Sequence, residues 1–259
     1  IELSRNGGAT FPEVLATVRN ATATRGKYLW QVTGPDAAAA VVRVTWTGGA
    51  VADVSNAPFR IADPFVAVSS PTSSDMNWGA GTLQRVKWTT NLGRDETVHV
   101  QLSTDGGTSY PWTLATARAS AGIVDVTIPA GRGPTSAARV RVLWADAPGP
   151  AVTGVSPAFT VAPPFVSLLS PQGGESWTVG ESVTVRWDSN LGTLESVRLE
   201  LSHDGGATWG TIISPGTRSD GAEKAVVSSA WVGASAKVRV VWLANSAVSA
   251  ASNAVFTVR

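Results

Sequence analysis

The chain has 259 residues, 43% of them hydrophobic, enough for two or three domains of roughly 100 residues with a core each. Lys and Arg number 20 against 19 Asp and Glu, so there is no basic field for nucleic acid or an acidic lipid surface. Cysteine is absent, which excludes disulfides, thiolate catalysis and cysteine metal sites; with 2 histidines there is no conventional histidine-rich metal site, and no cofactor is expected.

The chain opens inside a strand pattern and reaches a short motif at once: Ser4-Arg5-Asn6-Gly7-Gly8-Ala9-Thr10-Phe11. The motif returns as Ser103-Thr104-Asp105-Gly106-Gly107-Thr108-Ser109-Tyr110 and as Ser202-His203-Asp204-Gly205-Gly206-Ala207-Thr208-Trp209. The three serines stand 99 residues apart (103 − 4 and 202 − 103), and a fixed period means one folding unit repeated. Each copy reads as a structural turn carried by Ser4, Asn6, Gly8 and Phe11, by Ser103, Asp105, Gly107 and Tyr110, and by Ser202, Asp204, Gly206 and Trp209. The acidic or amide side chain accepts hydrogen bonds from turn amides, the glycines allow positive φ, and the aromatic packs under the turn.

Further along the first unit, Ala37 to Ala40 could form one helical turn, but the matching segments of the other units do not resemble a helix. Val42, Val44 and Trp46 then alternate with polar neighbours, and Phe59 marks a last strand. Units two and three open with Pro64-Phe65-Val66 and Pro164-Phe165-Val166, pass Trp78 and Trp177, and enter Val86-Lys87-Trp88 and Val185-Arg186-Trp187. Turns at Asn91-Leu92-Gly93 and Asn190-Leu191-Gly192 close those strands. A period of two follows in Val98, Val100 and Leu102, in Val197, Leu199 and Leu201, in Val140, Val142 and Trp144, and in Val238, Val240 and Trp242. That period predicts half-buried antiparallel strands.

No segment sustains a helical period with caps. About seven short strands per unit of roughly 100 residues predict an all-β chain of tandem β-sandwiches of the immunoglobulin or fibronectin type III kind. The expected domains are 1–63, 64–163 and 164–259, with proline-rich joints at Ala62-Asp63-Pro64 and Ala162-Pro163-Pro164 restricting bending into a semi-rigid rod. The uncharged stretch Ala147 to Gly174 holds six prolines and is a domain edge plus linker, not a membrane helix.

The register set by the serines places Ile1 at the position of Val100. Residues corresponding to Pro64 through His99 are therefore missing from the first unit, including the tryptophan matching Trp88. A sandwich cut in this way exposes an inner face and an unpaired edge. Three explanations are open: the chain is the later part of a longer protein, another chain supplies the strands by β-augmentation, or the first unit is reshaped into a smaller fold.

The 11 tryptophans divide by recurrence. Trp46, Trp88, Trp144, Trp187 and Trp242 fall on strand positions that recur and are expected in the core, each burying roughly 200 Å². Trp78 and Trp177 are expected over a sandwich end. Trp30, Trp112 and Trp231 do not recur at one position and are the candidates for exposed contact residues.

The turn motif resembles the Asp-box of sialidases and other β-propeller glycosidases, where it is a structural hairpin away from the catalytic site. Propeller blades would repeat at roughly 40–50 residues rather than 99, and no arginine cluster or nucleophilic tyrosine with a glutamate partner can be placed here. His99 and His203 lie on an outward strand position and within a turn, and Glu96 and Glu195 recur at a loop edge, where a solvated carboxylate is the expectation. Over 64–259, and in part over 1–63, the order of motifs resembles bacterial immunoglobulin-like repeats. That resemblance implies a non-enzymatic structural or protein-binding module outside the cytoplasm, in periplasm, at the cell surface or secreted: a spacer, a filament component or an accessory subunit on the outer face of a membrane complex. Its implied partners are other protein subunits, with no nucleic acid and no membrane span. The alternatives are a carbohydrate-binding module using Trp30, Trp112 or Trp231 on a glycan and, last, a glycoside hydrolase.

Overall fold

The computed structural model describes residues 1–259 except 21, 23 and 132. Apart from two 3-10 turns at Ala119–Ala121 and Ser229–Trp231, every regular element among the described residues is a strand. The chain divides into two compact units, residues 1–64 and 65–259.

Unit 1 is a single sheet. Its strands are β1 (Glu2–Ser4), β2 (Glu13–Val14), β3 (Ala37–Thr45), β4 (Ala52–Val54) and β5 (Phe59–Ile61), in the order β2-β1-β3-β4 with β5 also on β3. The alanine run extends as strand β3 and does not coil, because its backbone is paired with β1 on one side and with β4 and β5 on the other. Leu3, Ala37, Ala40 and Ile61 form a small core, with Leu15, Trp30 and Val42 packed against it.

Unit 2 holds two sandwiches. In the first, β6 (Val66–Ser70), β8 (Leu83–Thr90) and β11 (Ile123–Thr127) form a layer in the order β11-β8-β6. It faces a second layer of β7 (Asn77–Gly79), β9 (Thr97–Ser103), β10 (Trp112–Arg118), β12 (Thr135–Trp144), β13 (Thr153–Val155) and β14 (Phe159–Ala162). The second sandwich repeats this. Strands β15 (Val166–Ser170), β17 (Ser182–Ser189) and β20 (Ala222–Val226) form the small layer. Strands β16 (Ser176–Trp177), β18 (Ser196–Ser202), β19 (Thr211–Arg218), β21 (Gly233–Trp242), β22 (Ser249–Ala251) and β23 (Phe256–Val258) form the large one. Short β7 and β16 pair in parallel with the last strands β14 and β23, which raises each sandwich above the seven strands read from periodicity.

The period of two sorts side chains as expected of face-to-face sheets. Val86 and Trp88 of β8, Val98, Val100 and Leu102 of β9, and Val140 and Val142 of β12 are all in the first core. Val185, Trp187, Val197, Leu199, Leu201, Val238, Val240 and Trp242 fill the second. Aromatic pairs close each sandwich on the side of the last strand: Trp78 on Phe159 and Trp177 on Phe256, both with ring centroids 4.6 Å apart. Trp78 and Trp177 therefore lie within the cores, between β7 or β16 and the layer opposite.

Candidate functional site

The recurring turns are built alike. In the second copy Ser103 Oγ donates to Asp105 Oδ1 (2.6 Å) and accepts from Gly107 N (2.8 Å), while Asp105 accepts from Ser109 N (3.0 Å) and Ser109 Oγ (2.6 Å). In the third, Ser202, Asp204, Gly206 and Thr208 make the same bonds at 2.7, 2.8, 2.8 and 2.6 Å. In the first, Asn6 Oδ1 takes over the acceptor role from Ser4 Oγ (2.8 Å) and Thr10 N (3.0 Å), and Ser4 Oγ accepts from Gly8 N (2.9 Å). Gly8, Gly107 and Gly206 have φ of 93°, 93° and 98°, where a side chain would be strained. Gly7, Gly106 and Gly205 each donate to the strand paired beside the hairpin's first strand, at Ala39, Ala137 and Ser235. Hydrogen bonds from Ser103 and Ser109 hold the Asp105 carboxyl well below the usual carboxylate range, and those from Ser202 and Thr208 do the same for Asp204.

The aromatic residue of each turn has a partner that the turn motif does not contain. Arg43 lies over Phe11 (4.0 Å to the ring centroid), Arg141 over Tyr110 (3.9 Å) and Arg239 over Trp209 (4.5 Å). Each arginine is in turn bonded to the side chain opposite on the neighbouring strand: Glu2, Gln101 and Glu200. The recurrence of the three arginines at intervals of 98 residues (141 − 43 and 239 − 141) is the sequence signal for this stack. These contacts are structural.

The tryptophans sort differently from their recurrence. Trp88, Trp187 and Trp242 are buried and Trp144 is half-buried. Trp46, expected in the core, is 62% exposed, because among the described residues no second layer faces its strand in unit 1. Trp231, a candidate contact residue, is 6% exposed and belongs to the second core, carried inward by the 3-10 turn at Ser229–Trp231. Trp112 and Trp30 are half-buried, packed against the core of the first sandwich and of unit 1. None of the three stands as a free exposed ring.

Glu96 and Glu195 are not solvated loop carboxylates. Glu96 Oε2 accepts from the indole N–H of Trp144 (2.8 Å), and Glu195 Oε2 accepts from that of Trp242 (2.8 Å). The spacing 96→144 and 195→242 repeats to within one residue, and that shared separation was the available clue. His99 and His203 bond to Thr116 and Thr211 (both 3.0 Å).

Between the two sandwiches of unit 2 lies a buried polar junction that the repeat pattern did not reveal. Gly79 N donates to Asn190 O (2.8 Å), and Gln84 Nε2 donates to Leu191 O (2.9 Å) and Thr82 Oγ1 (2.8 Å). Leu83 N donates to Glu195 Oε1 (2.8 Å), so one carboxylate ties the junction to the Trp242 core. Asn190 Nδ2 donates to Pro163 O (2.9 Å) and its Oδ1 accepts from Phe165 N (2.8 Å), fixing the joint itself. Thr82, Gln84, Asn190 and Leu191 are all buried here. Gly192 has φ 85°, and a Cβ there would stand 2.7 Å from Gln84 Oε1. Buried polar groups satisfied in this way fix one arrangement of the two sandwiches.

Among the described residues no three His, Asp or Glu side chains gather as a metal site, and no helix is long and apolar enough to cross a membrane. A cavity of about 10 Å³ lies under Trp112 and Ile128 in the first sandwich. A groove of about 490 Å³ in unit 1 is lined by Ile1, Glu2, Val14, Arg43 and Thr45, and its two charged side chains are paired with each other.

No protein-family model matches the chain, and no curated protein does. Similar solved structures include the fibronectin(III)-like modules of Clostridium thermocellum CbhA, at 14% identity over 75% of this chain and 95% of that one, with a TM-score of 0.26. The N-terminal four Ig domains of Dscam1 isoform 9.44 match at 11% identity over 85% of this chain and 54% of that one, TM-score 0.27. A tetra-tandem repeat in the extending region of a large adhesion protein matches at 16% identity over 82% and 55%, TM-score 0.26. This chain thus spans about half the length of the last two. Strand pairing alone divides unit 2 into its two sandwiches.

Proposed function

We propose that the chain is a non-enzymatic structural and protein-binding module of an exported bacterial protein: a spacer, a filament component or an accessory subunit on the outer face of a membrane complex. The observation that carries the reading is the junction of unit 2. Gln84, Asn190 and Glu195 spend buried hydrogen bonds on fixing one sandwich against the next, which serves reach and load-bearing and serves no catalytic step. The hairpins, which resemble the Asp-box, act as stiffening turns on the same scaffold. Other protein subunits are the partners that such a scaffold meets.

The absence of native cysteine makes a distance measurement direct. Spin labels on cysteines introduced at the exposed positions Thr113 and Asp220, one in each sandwich, should give a single narrow distance distribution in the full chain. A distribution spanning tens of ångströms would remove the spacer reading, since a hinge between the sandwiches cannot hold a fixed reach.

A further inference from the structure

Asn-Gly and Asp-Gly, the dipeptides whose backbone rearranges most readily, stand at Asn6-Gly7, Asp105-Gly106, Asp204-Gly205 and Asp220-Gly221. In each, the glycine nitrogen can attack the side-chain carbonyl carbon of the residue before it, since glycine has no Cβ to hinder the approach. The attack needs a free amide and a side chain free to turn onto it. The fold treats the four pairs differently.

In the three hairpins both groups are held. The amides of Gly7, Gly106 and Gly205 donate to Ala39 O (2.8 Å), Ala137 O (3.0 Å) and Ser235 O (2.9 Å). Ser4 and Thr10 fix Asn6 Oδ1, Ser103 and Ser109 fix the Asp105 carboxylate, and Ser202 and Thr208 fix that of Asp204. The same bonds favour the ionised form of Asp105 and Asp204, a poorer electrophile than the neutral acid.

Asp220-Gly221 lies in the turn between β19 and β20, where Asp220 is exposed and Gly221 has φ 94°. Among the described residues neither the Asp220 carboxyl nor the Gly221 amide is held by a hydrogen bond. The copy of this turn ends at Gly122, whose carbonyl accepts from Trp88 N as that of Gly221 accepts from Trp187 N, both at 3.0 Å. In that copy the glycine amide donates to Ala119 O (3.3 Å), and Ala121 stands in place of the aspartate. The residue before Asp220 is anchored: Ser219 N donates to Glu195 O (2.9 Å), and Ser219 Oγ lies 2.8 Å from Ser189 Oγ.

We propose that Asp220-Gly221 is a self-modification site at which the chain isomerises to an isoaspartyl link, while the three hairpins guard their own Asn-Gly and Asp-Gly bonds against the same reaction. Gly221 N bonds to Asp220 Cγ, the amide proton and the carboxyl hydroxyl leave as water, and a succinimide ring closes. Water then cleaves the bond between Gly221 N and the Asp220 backbone carbonyl carbon, which becomes a free carboxylate while the chain runs on through Cγ. The water lost is regained, so product and reactant have the same atoms and no other reagent is consumed. The new link adds one methylene between Ser219 and Gly221, both anchored, and so pulls on the bonds from Ser219 N to Glu195 O and from Trp187 N to Gly221 O. The mark therefore falls beside Glu195, which ties one sandwich to the next.

The test is incubation of the full chain in mildly acidic buffer, digestion, and location of isoaspartate by electron-transfer fragmentation. The folded chain should carry roughly tenfold more isoaspartate at 220 than at 105 or 204, the factor expected for one hydrogen bond broken before attack. Chain unfolded in urea should react at all three Asp-Gly pairs at similar rates. Thr208→Val, which takes one bond from Asp204, should raise isoaspartate at 204 several-fold, and Asp220→Asn should speed conversion at 220. In the purified isomerised chain the Trp187 amide should exchange faster than in the parent. Isoaspartate at 105 or 204 equal to that at 220 in the folded chain would overturn the inference. So would none at 220 over an incubation that converts the unfolded chain. Asp220→Cys, which serves the distance measurement across unit 2, removes this site, so the two tests succeed or fail separately.

Discussion

Strand β3 of unit 1 and strand β12 of unit 2 carry the same inward series, Val42-x-Val44-x-Trp46 and Val140-x-Val142-x-Trp144, on the same ladder with β1 or β9. One series is exposed at its end and the other is covered along its length. The alternation therefore decides which side chains share a face and has no say in whether that face is buried. Burial comes from the opposing layer, β6-β8-β11, which has no counterpart among the described residues of unit 1. Unit 1 covers only the Leu3 end of its face, with Leu15 and Trp30.

The sharpest way to break this comparison is to truncate the paired phenylalanines. Phe159 is closed in by Trp78 and the first core, so Phe159→Ala should destabilise unit 2 by about 3–5 kcal/mol. Phe59→Ala removes a side chain that has no such cover and should cost less than about 1 kcal/mol. Denaturant unfolding followed by hydrogen exchange on β9 and β1 amides separates the two units. Equal losses would mean that the inner face of unit 1 is already packed in solution.

A second comparison sets the turn Asn190-Leu191-Gly192 beside its copy Asn91-Leu92-Gly93. Both asparagines accept from a phenylalanine amide, Phe165 N and Phe65 N, at 2.8 and 2.9 Å. Asn190 and Leu191 are buried whereas Asn91 is exposed, and of the two glycines only Gly192 has positive φ and a neighbour within 3 Å of a would-be Cβ. Gly192→Ala should therefore cost about 1–3 kcal/mol and should speed exchange of the Gly79 amide, which bonds to Asn190 O. Gly93→Ala, whose nearest neighbour is Glu96 Cγ at 3.5 Å, should change stability by no more than about 0.5 kcal/mol. A Gly79 amide that exchanges at the parent rate in Gly192→Ala would mean that the junction does not depend on this turn.

These two comparisons explain what could be read from the chain and what could not. The β class and the sandwich repeat were legible because Val98, Val100 and Leu102 and their copies alternate cleanly, and alternation is a local property. Recurrence alone puts Trp46 in a core, but burial depends on a layer distant in sequence, and Trp46 is exposed. Trp231 shows the converse. It lacks a copy in the other units, yet the 3-10 turn at Ser229–Trp231 turns it into the core. The junction was invisible because Gln84, Asn190 and Glu195 look like ordinary surface polar residues; only their meeting across 106 to 112 positions makes them a buried network.

The hairpins provide the gentlest test, because one of the three copies is an internal control. Asp105 and Asp204 have carboxyl groups depressed by bonds from Ser103 and Ser109 and from Ser202 and Thr208. Asn6 makes the corresponding bonds with Ser4 and Thr10 and does not titrate. A depressed folded pKa stabilises the fold fully above the unfolded value of about 3.9 and loses that contribution as pH falls toward the folded value. Acid should thus loosen the second and third hairpins and spare the first. Amide exchange at Ser109 and Thr208, compared with Thr10 between pH 5 and about 2, should rise relative to Thr10 once pH drops below about 4. Parallel behaviour of all three amides would assign the hairpins' rigidity to the backbone bonds at Gly7, Gly106 and Gly205, which are common to all copies, and would strip the carboxylates of any share in it.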